Sequence, residues 1–435
     1  MSLLTLSTNL RQIAAQAADQ TRVFTNLAHL IDIDLLREAF HLTRKDGAPG
    51  VDGVTGWEYA KNLESNLKEL HERLRTCRYR ATPVRRTSLP KDDGGRRPIG
   101  IPIFEDKIVQ RAVVTLLTPI YEQVFYGLSY AFRVGKRAHQ AVSVLREACM
   151  RFGGGWIVDA DIRGFFDNLD RGILRDLVGR RVTDGGIHRL IGKWLNAGVL
   201  DGEELINPET GTPQGGVISP LLANIYLHYV LDEWFVKVVQ PRLRGRSLLV
   251  RFADDFVILC ELKEDALRVL EVLPKRLGKY GLELHPEKTR LIQFRKPPAA
   301  AKSPKAKGNG TFDFVGFTFY WARSRREAWV VKKKTRGDRL RRAMRRVMRW
   351  CKDNRHVKVA VQHEILVRKL QGHYNYYAVR CNYEALEALY QHTRKAWCKW
   401  LRRRSQKSRI KWDNFAERIE KEFPLPVPRI IHANV

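Results

Sequence analysis

Two short stretches of this 435-residue chain place carboxylates where strands should end. In Trp156-Ile157-Val158-Asp159-Ala160-Asp161, an apolar run with the look of a buried strand finishes on two acids one residue apart. Further on, the apolar runs Ser247 to Phe252 and Phe256 to Cys260 flank Ala253-Asp254-Asp255, the pattern of a β-hairpin with an acidic tip. An Asp-Asp pair at a turn is by itself ordinary turn chemistry, because Asp favours turns. Three acids gathered at strand ends suit another purpose: they are hard oxygen ligands of the kind Mg²⁺ takes. Two such ions about 3.5–4 Å apart can activate an attacking hydroxyl and neutralise a leaving polyphosphate, the chemistry of nucleotidyl transfer. Asp159 and Asp161 share one face of their strand, so the spacing leaves open which of them takes part.

The elements that must position these acids can be read from periodicity. Apolar residues recur at helical spacing from Leu27 to about Arg44, and a Gly/Pro loop, Gly47 to Gly53, stops that helix. A second helix over about Glu58 to Arg75 leads to a β-type segment, Tyr79 to Leu89, and a turn at Lys91 to Gly95. Lys107 to Glu122, Leu221 to Val239 and Glu264 to Tyr280 read as helices, so the acidic strands belong to an α+β domain. Phe294 to Gly310 is a Lys/Pro/Ala/Gly-rich linker, and beyond Trp321 the pattern is expected to be helical to about Lys407.

Charge narrows the partner. Lys and Arg number 78 against 47 Asp and Glu, a net charge of +31, which a compact chain tolerates best when a polyanion neutralises it. Between Trp321 and Lys411 there are 28 Lys and Arg against six acids, so most of the excess lies there. In Arg339 to Arg349, Leu340, Met344, Val347 and Met348 form an apolar stripe, while Arg341, Arg342, Arg345, Arg346 and Arg349 cover the other side. One face packs and the other can meet phosphates. The six cysteines form no C-x-x-C pair, which speaks against a zinc ribbon or a secreted disulfide scaffold. With no basic leader and no run of about 18 apolar residues, a cytoplasmic protein without a membrane partner is expected.

These motifs together resemble a known family. Phe252-Ala253-Asp254-Asp255 is similar to the Tyr-Ala-Asp-Asp box of reverse transcriptases, and Val158 to Asp167 to the box supplying their first catalytic aspartate. Thr212-Pro213-Gln214-Gly215-Gly216 through Ile225 resembles the Pro-Gln-Gly box of group II intron proteins. Ser88-Leu89-Pro90-Lys91 with Arg96-Arg97-Pro98-Ile99-Gly100 is similar to the fingertip box, and Gly47 to Gly53 to the N-terminal box of non-retroviral enzymes. Gly281 to Thr289 and Phe312-Asp313-Phe314-Val315-Gly316-Phe317 resemble the two boxes that close the palm. Gln371 to Arg380, with Tyr374, Tyr376 and Tyr377, resembles the maturase segment.

What this resemblance implies is a right-hand polymerase of the group II intron type, an RNA-directed DNA polymerase using two Mg²⁺ ions. An N-terminal extension and the start of the fingers would occupy 1–80, fingers and palm 81–320, a helical thumb or maturase domain 321–410, and a short tail 411–435. Asp161, Asp254 and Asp255 would be the catalytic and metal-binding residues, with Asp159 structural. Lys91 and Arg97 would hold the dNTP triphosphate, Gln214 would lie beside the incoming nucleotide, and Phe166 would exclude a ribose 2′-hydroxyl. Arg133, Phe252, Tyr374, Tyr376 and the five arginines of 341–349 would contact nucleic acid: template or intron RNA, and a DNA primer or target.

Phe252 stands where the family usually has tyrosine, Ala131 and Val134 where it has glycine and proline, and Cys381 where glycine is frequent. The pattern of an appended zinc nuclease is missing, so an endonuclease-less maturase in a bacterial ribonucleoprotein is expected. Two other readings use the same residues: an RNA-binding splicing cofactor with a vestigial site, or a domesticated enzyme of defence or repair. The first sits badly with a full set of acids and nucleotide contacts.

Overall fold

The acidic strands are continuous apolar runs with a core on each face, and they build the centre of the molecule. In the computed structural model, which describes residues 8–90, 95–202, 204–206, 215–299, 310–405 and 411–433, the strands number eleven among the described residues. They are β1 (Val84–Pro90), β2 (Arg96–Ile101), β3 (Gly154–Asp161), β4 (Val199–Asp201), β5 (Glu204–Ile206) and β6 (Ser247–Phe252). The rest are β7 (Asp255–Cys260), β8 (Arg290–Arg295), β9 (Phe312–Phe314), β10 (Phe317–Arg323) and β11 (Trp329–Thr335). Strands β6, β7, β3 and β8 form one antiparallel sheet in that order. Phe256, Ile258 and Cys260 join Val158, Ala160 and Leu249 in a core on one face. Val257 and Leu259 join Ile157 and Val250 in a second core on the other.

Helices cover both faces. They are α1 (Thr8–Ala17), α2 (Ile33–Leu42), α3 (Gly56–Ala60), α4 (Leu63–Arg75), α5 (Phe104–Glu122), α6 (Ala138–Phe152) and α7 (Arg171–Gly179). After them come α8 (Gly185–Leu195), α9 (Ser219–Leu227), α10 (Lys263–Gly278), α11 (Gly337–Asp353), α12 (Val359–Tyr377) and α13 (Tyr383–Leu401). Ala266, Val269, Leu273 and Leu277 of α10 fill the first core, and Ala141, Val142 and Leu145 of α6 the second. The chain is thus α+β, and no described helix is long and apolar enough to cross a membrane. All six thiols are free.

Several boundaries move for identifiable reasons. The helix expected from Leu27 begins at Ile33, where Asp32 caps it by accepting a bond from Leu35 N at 2.7 Å. Leu27 and Ala28 are instead drawn to Asp184, whose carboxylate accepts their N–H groups at 2.5 and 2.9 Å. The helix expected over Glu58 to Arg75 is two helices, α3 and α4, the first opened by a capping box between Thr55 and Glu58. The β-type segment pairs only from Val84, because Tyr79 turns inward and donates its hydroxyl to Asp106 at 2.5 Å.

The larger correction concerns the region after Trp321. Strand character does not fade there: β10 runs through Trp321 to Arg323 and pairs along its length with β11. Phe312, Phe314, Phe317, Phe319, Trp321, Trp329 and Val331 alternate into the second core. The boundary expected at 320/321 falls inside a strand, and helix begins only at Gly337.

Asp184 ties the N-terminal segment to α8, since it also caps that helix by accepting from Ile187 N at 2.9 Å. Burial alone would raise its carboxyl, yet N–H bonds from Leu27, Ala28, Ile187 and Gly186 hold it below the usual carboxylate range. Asp184→Ala is expected to destabilise the fold by about 2–3 kcal/mol in denaturant unfolding at pH 7. Because the folded carboxyl is depressed, that contribution is present above pH of about 4 and is lost as pH falls through the folded value. The two unfolding curves should therefore converge in acid.

Candidate active site

Register brings the acids together. Asp161 at the end of β3 pairs with Asp255 at the start of β7, and Asp255 pairs with Phe252 at the end of β6. One row therefore crosses three neighbouring strands, with Asp159 two residues back on the same face. Ala253 and Asp254 are the two residues between the paired positions, and Ala253 takes the left-handed φ of +60° that so tight a reversal demands.

The turn is braced from beneath by a residue that the sequence pattern did not single out. Arg251 has no exposed surface, and neither does Asp232, with which it forms a bidentate pair through Nε at 2.8 Å and Nη2 at 2.5 Å. Its Nη1 donates to Ala253 O and to Asn224 Oδ1, both at 3.0 Å. Asn224 in turn donates to Ala131 O at 2.7 Å. Asp232 reaches this position from a π-helical stretch, His228–Asp232, that continues α9. A charged residue inside an apolar strand gives no sign of facing inward until its buried partner is seen.

The carboxylates differ in environment. Asp161 Oδ2 accepts from Lys288 Nζ at 2.9 Å, and Asp159 Oδ2 from Arg290 Nη2 at 2.9 Å. Burial raises the Asp159 carboxyl, against the Arg290 bond that lowers it. Asp255 Oδ2 accepts from Val315 N at 3.3 Å. Its carboxyl is pushed up to about 7 by burial, against that N–H, with the charges of Asp159, Asp254 and Asp161 adding to the rise. Lys288 and Arg290 were missed as partners of these acids, although both lie in or beside the Gly281 to Thr289 motif.

The remaining sequence candidates divide. Phe166 is half-buried and meets Phe165 edge-on, with ring centroids 5.2 Å apart. Lys91 and Gln214 lie outside the described residues, as does the side chain of Arg97, whose backbone pairs with Leu89. Gly215 sits at φ +122°, where a Cβ would lie 2.5 Å from Gly100 O, so the glycine lets this loop press against β2. Arg133 does not present itself to a template. Its guanidinium is buried, pairs with Glu122 at 2.9 Å and donates to Tyr126 O and Ser129 O at 2.6 and 2.9 Å.

In the C-terminal helices the basic face stands as expected, with one exception. Arg341, Arg345, Arg346 and Arg349 are exposed on α11, whereas Arg342 is largely covered and lies 3.9 Å from Asp338. Arg345, Arg346, Arg349, Lys352 and Trp400 line a cavity of about 460 Å³ beside this face. Tyr374 is not available for stacking: it is buried among α11, α12 and α13. Tyr376 is half-buried, its hydroxyl donating to Val315 O at 2.9 Å. Cys381 adopts φ +74°, a conformation that explains why glycine is frequent at that place in the family it resembles.

A family described as reverse transcriptase (RNA-dependent DNA polymerase) matches residues 89–319, which hold the acidic row, the buried brace and β9. The chain belongs to this family and is an RNA-directed DNA polymerase. Protein YkfC of Escherichia coli (strain K12) is 33% identical to it over 324 residues, covering 65% of this chain and 83% of YkfC. The group II intron-encoded protein LtrA of Lactococcus lactis subsp. cremoris is 37% identical over 219 residues, 50% of this chain and 36% of LtrA. Nuclear intron maturase 2, mitochondrial, of Arabidopsis thaliana is 34% identical over 182 residues, 32% of this chain and 24% of its own. The chain thus spans about a third of LtrA and a quarter of the plant maturase.

Enzymes of this family generally use a divalent metal, typically Mg²⁺. The donor set fits one: every candidate ligand is a carboxylate oxygen, and Asp255 is half-buried beside three other acids, a charge problem that a cation relieves. As they stand, no three His, Cys, Asp or Glu side chains among the described residues converge to hold an ion, and Asp161 is turned to Lys288.

Asp255→Asn tests the electrostatic cost of this arrangement. A carboxyl raised in the folded state contributes stability below its unfolded value, and that stability is lost as pH rises through the folded one. The asparagine variant, in the absence of divalent ions, is therefore expected to be more stable than the parent at pH 8, by about 1–3 kcal/mol. The gain should vanish near pH 4. Calorimetric melting at both pH values measures it.

Proposed function

We propose that the chain is a group II intron-type reverse transcriptase and maturase, copying RNA by two-metal nucleotidyl transfer and binding its intron RNA for splicing and retrohoming. The observation that carries this is the acidic row: Asp161 and Asp255 in register on neighbouring strands, with Asp254 on the turn between β6 and β7. In this reading the central sheet is the palm, β1 and β2 belong to the fingers, and α11 to α13 form the thumb.

Asp161, Asp254 and Asp255 would hold the metal ions, and Mg²⁺ bound there supplies activation of a primer 3′-hydroxyl and neutralisation of the leaving pyrophosphate. The protein's own contribution is positional. Arg251 fixes the turn that carries Asp254, and Lys288 keeps the Asp161 carboxylate at the strand end until a stronger cation competes for it. Lys91 and Arg97 would receive the triphosphate of a dNTP, with Gln214 beside the nucleotide. Phe166, five residues past Asp161, would face the sugar, and Phe252, at the edge of the row, the primer end. The exposed arginines of α11 would hold RNA through its phosphates.

Two experiments test this. Asp254→Ala is expected to abolish Mg²⁺-dependent cDNA synthesis on a primed RNA template while leaving RNA affinity within about twofold, because counterion release at basic surfaces supplies most of the binding. Robust extension by this variant would remove the site assignment. Replacing Arg345, Arg346 and Arg349 by glutamine should preserve the helix and flatten the dependence of log K on log salt. On single strands the slope should shrink by about 0.7 for each phosphate that an arginine no longer neutralises. An unchanged slope would mean that α11 faces away from nucleic acid. A larger drop in affinity for the parent intron RNA than for random RNA would support the maturase role.

A further inference from the structure

The reversal between β9 and β10 is held from three directions. Val315 N donates to Asp255 Oδ2 at 3.3 Å, and Val315 O accepts from the Tyr376 hydroxyl at 2.9 Å. The next carbonyl, Gly316 O, accepts from Arg336 N at 3.0 Å, at the entry to α11. Val315 and Gly316 lie at φ +48° and +79°, so a β-branched residue occupies the left-handed region, a conformation that persists only where its surroundings impose it. There is no slack: a Cβ on Gly316 would lie 2.9 Å from the Tyr377 hydroxyl oxygen.

Tyr376 is itself fixed. Its ring stacks on Phe317 with centroids 5.8 Å apart and planes 19° from parallel. Its carbonyl is 2.7 Å from His139 Nε2, on α6, which packs on the central sheet. Val315 therefore connects the last turn of α12 to a carboxylate of the acidic row through two hydrogen bonds, one on each of the peptide units that flank its Cα. We infer that Tyr376 is a positioning residue for Asp255. Its hydroxyl holds the Val315 carbonyl and so fixes the backbone of that residue at its left-handed φ, and the Val315 N–H, on the preceding peptide unit, in turn orients the carboxylate, so the helical C-terminal region is mechanically coupled to the polymerising site.

The assignment rests on the reading of Asp255 as a metal-holding carboxylate, and it replaces the expectation that Tyr376 touches nucleic acid. A hydroxyl already donating to a backbone carbonyl, on a half-buried ring packed against Phe317, is poorly placed to stack on a base. Its effect should appear in the rate and in metal use, with binding left alone.

Tyr376→Phe in the full chain removes the hydroxyl and keeps the stacking ring. On a primed RNA template kcat is expected to fall about five- to tenfold, and half-saturating Mg²⁺ to rise several-fold. KM for dNTP and affinity for RNA should stay within about twofold. A second arm needs no activity. In a double-mutant cycle with Asp255→Asn, read by urea unfolding without divalent ions, the two changes should be non-additive, because they act on the backbone of one residue. Unchanged kcat and Mg²⁺ dependence, additive unfolding energies, or a fall in RNA affinity at constant kcat would each overturn the assignment. If Asp254→Ala loses synthesis while Tyr376→Phe keeps the full rate, the coupling fails and the polymerase site stands. If Asp254→Ala still extends primers, the site assignment fails first.

Discussion

A guanidinium without any exposed surface lies under the turn that carries Asp254, and much of the surrounding architecture is arranged to keep it there. Removing a charge from water costs several kcal/mol, and an ion pair repays that only with good geometry and full hydrogen bonding. Arg251 meets the condition: two bonds go to Asp232 and the others to Asn224 and Ala253. Two of these partners come from one continuous helix and the third from the hairpin tip. The continuation of α9 supplies Asp232, α9 itself supplies Asn224, and Asn224 reaches the loop at Ala131. One side chain thus fixes a helix, a loop and a hairpin tip relative to one another, which a purely apolar core could not do with the same directional control.

That rigidity has a use, because the row above it is electrostatically unfavourable. Asp159, Asp161, Asp254 and Asp255 stand on one sheet end, and two of them are relieved by Arg290 and Lys288. Asp255 is held by the neutral Val315 N–H, and its carboxyl is raised. Backbone pairing keeps the acids in register despite their repulsion, since moving Asp255 away from Asp161 would break the β3–β7 ladder. The raised Asp255 carboxyl costs stability at neutral pH, a cost that a cation bound there would relieve.

The same pattern governs the link between the sheet and the C-terminal helices. The strands β9 to β11 carry an aromatic core that packs on the central sheet, and α11 starts directly after β11. The helical bundle has its own core around Trp397, Leu366 and Tyr374, so it can bear a strongly basic outer face without needing that face for packing. Contact between the two regions is concentrated at the end of α12, where Tyr376, Tyr377 and His139 surround the Val315–Gly316 reversal.

The sequence by itself determined the local elements whose signal is short-range. Short apolar runs defined β3, β6 and β7 within one or two residues, and the acids at their ends followed. The amphipathic stripe of α11 was legible for the same reason, since helical period sorts side chains without reference to any neighbour. Partners distant in the chain were decided by tertiary structure. An arginine in a strand gives no sign of facing inward until Asp232 is placed beneath it, and Arg133 resembles a ligand for phosphate until Glu122 and two carbonyls surround it. Strand β11, with three consecutive lysines, lies where helix was expected, yet Lys333 is buried once β10 pairs beside it. The tyrosines of α12 carry the same ambiguity, because a ring and a hydroxyl suit a base, a core or a backbone carbonyl equally well. Only the packing of α12 against Phe317 and Val315 gave Tyr376 its partner, as a side chain's type limits what it can bind while the fold alone selects what lies within reach.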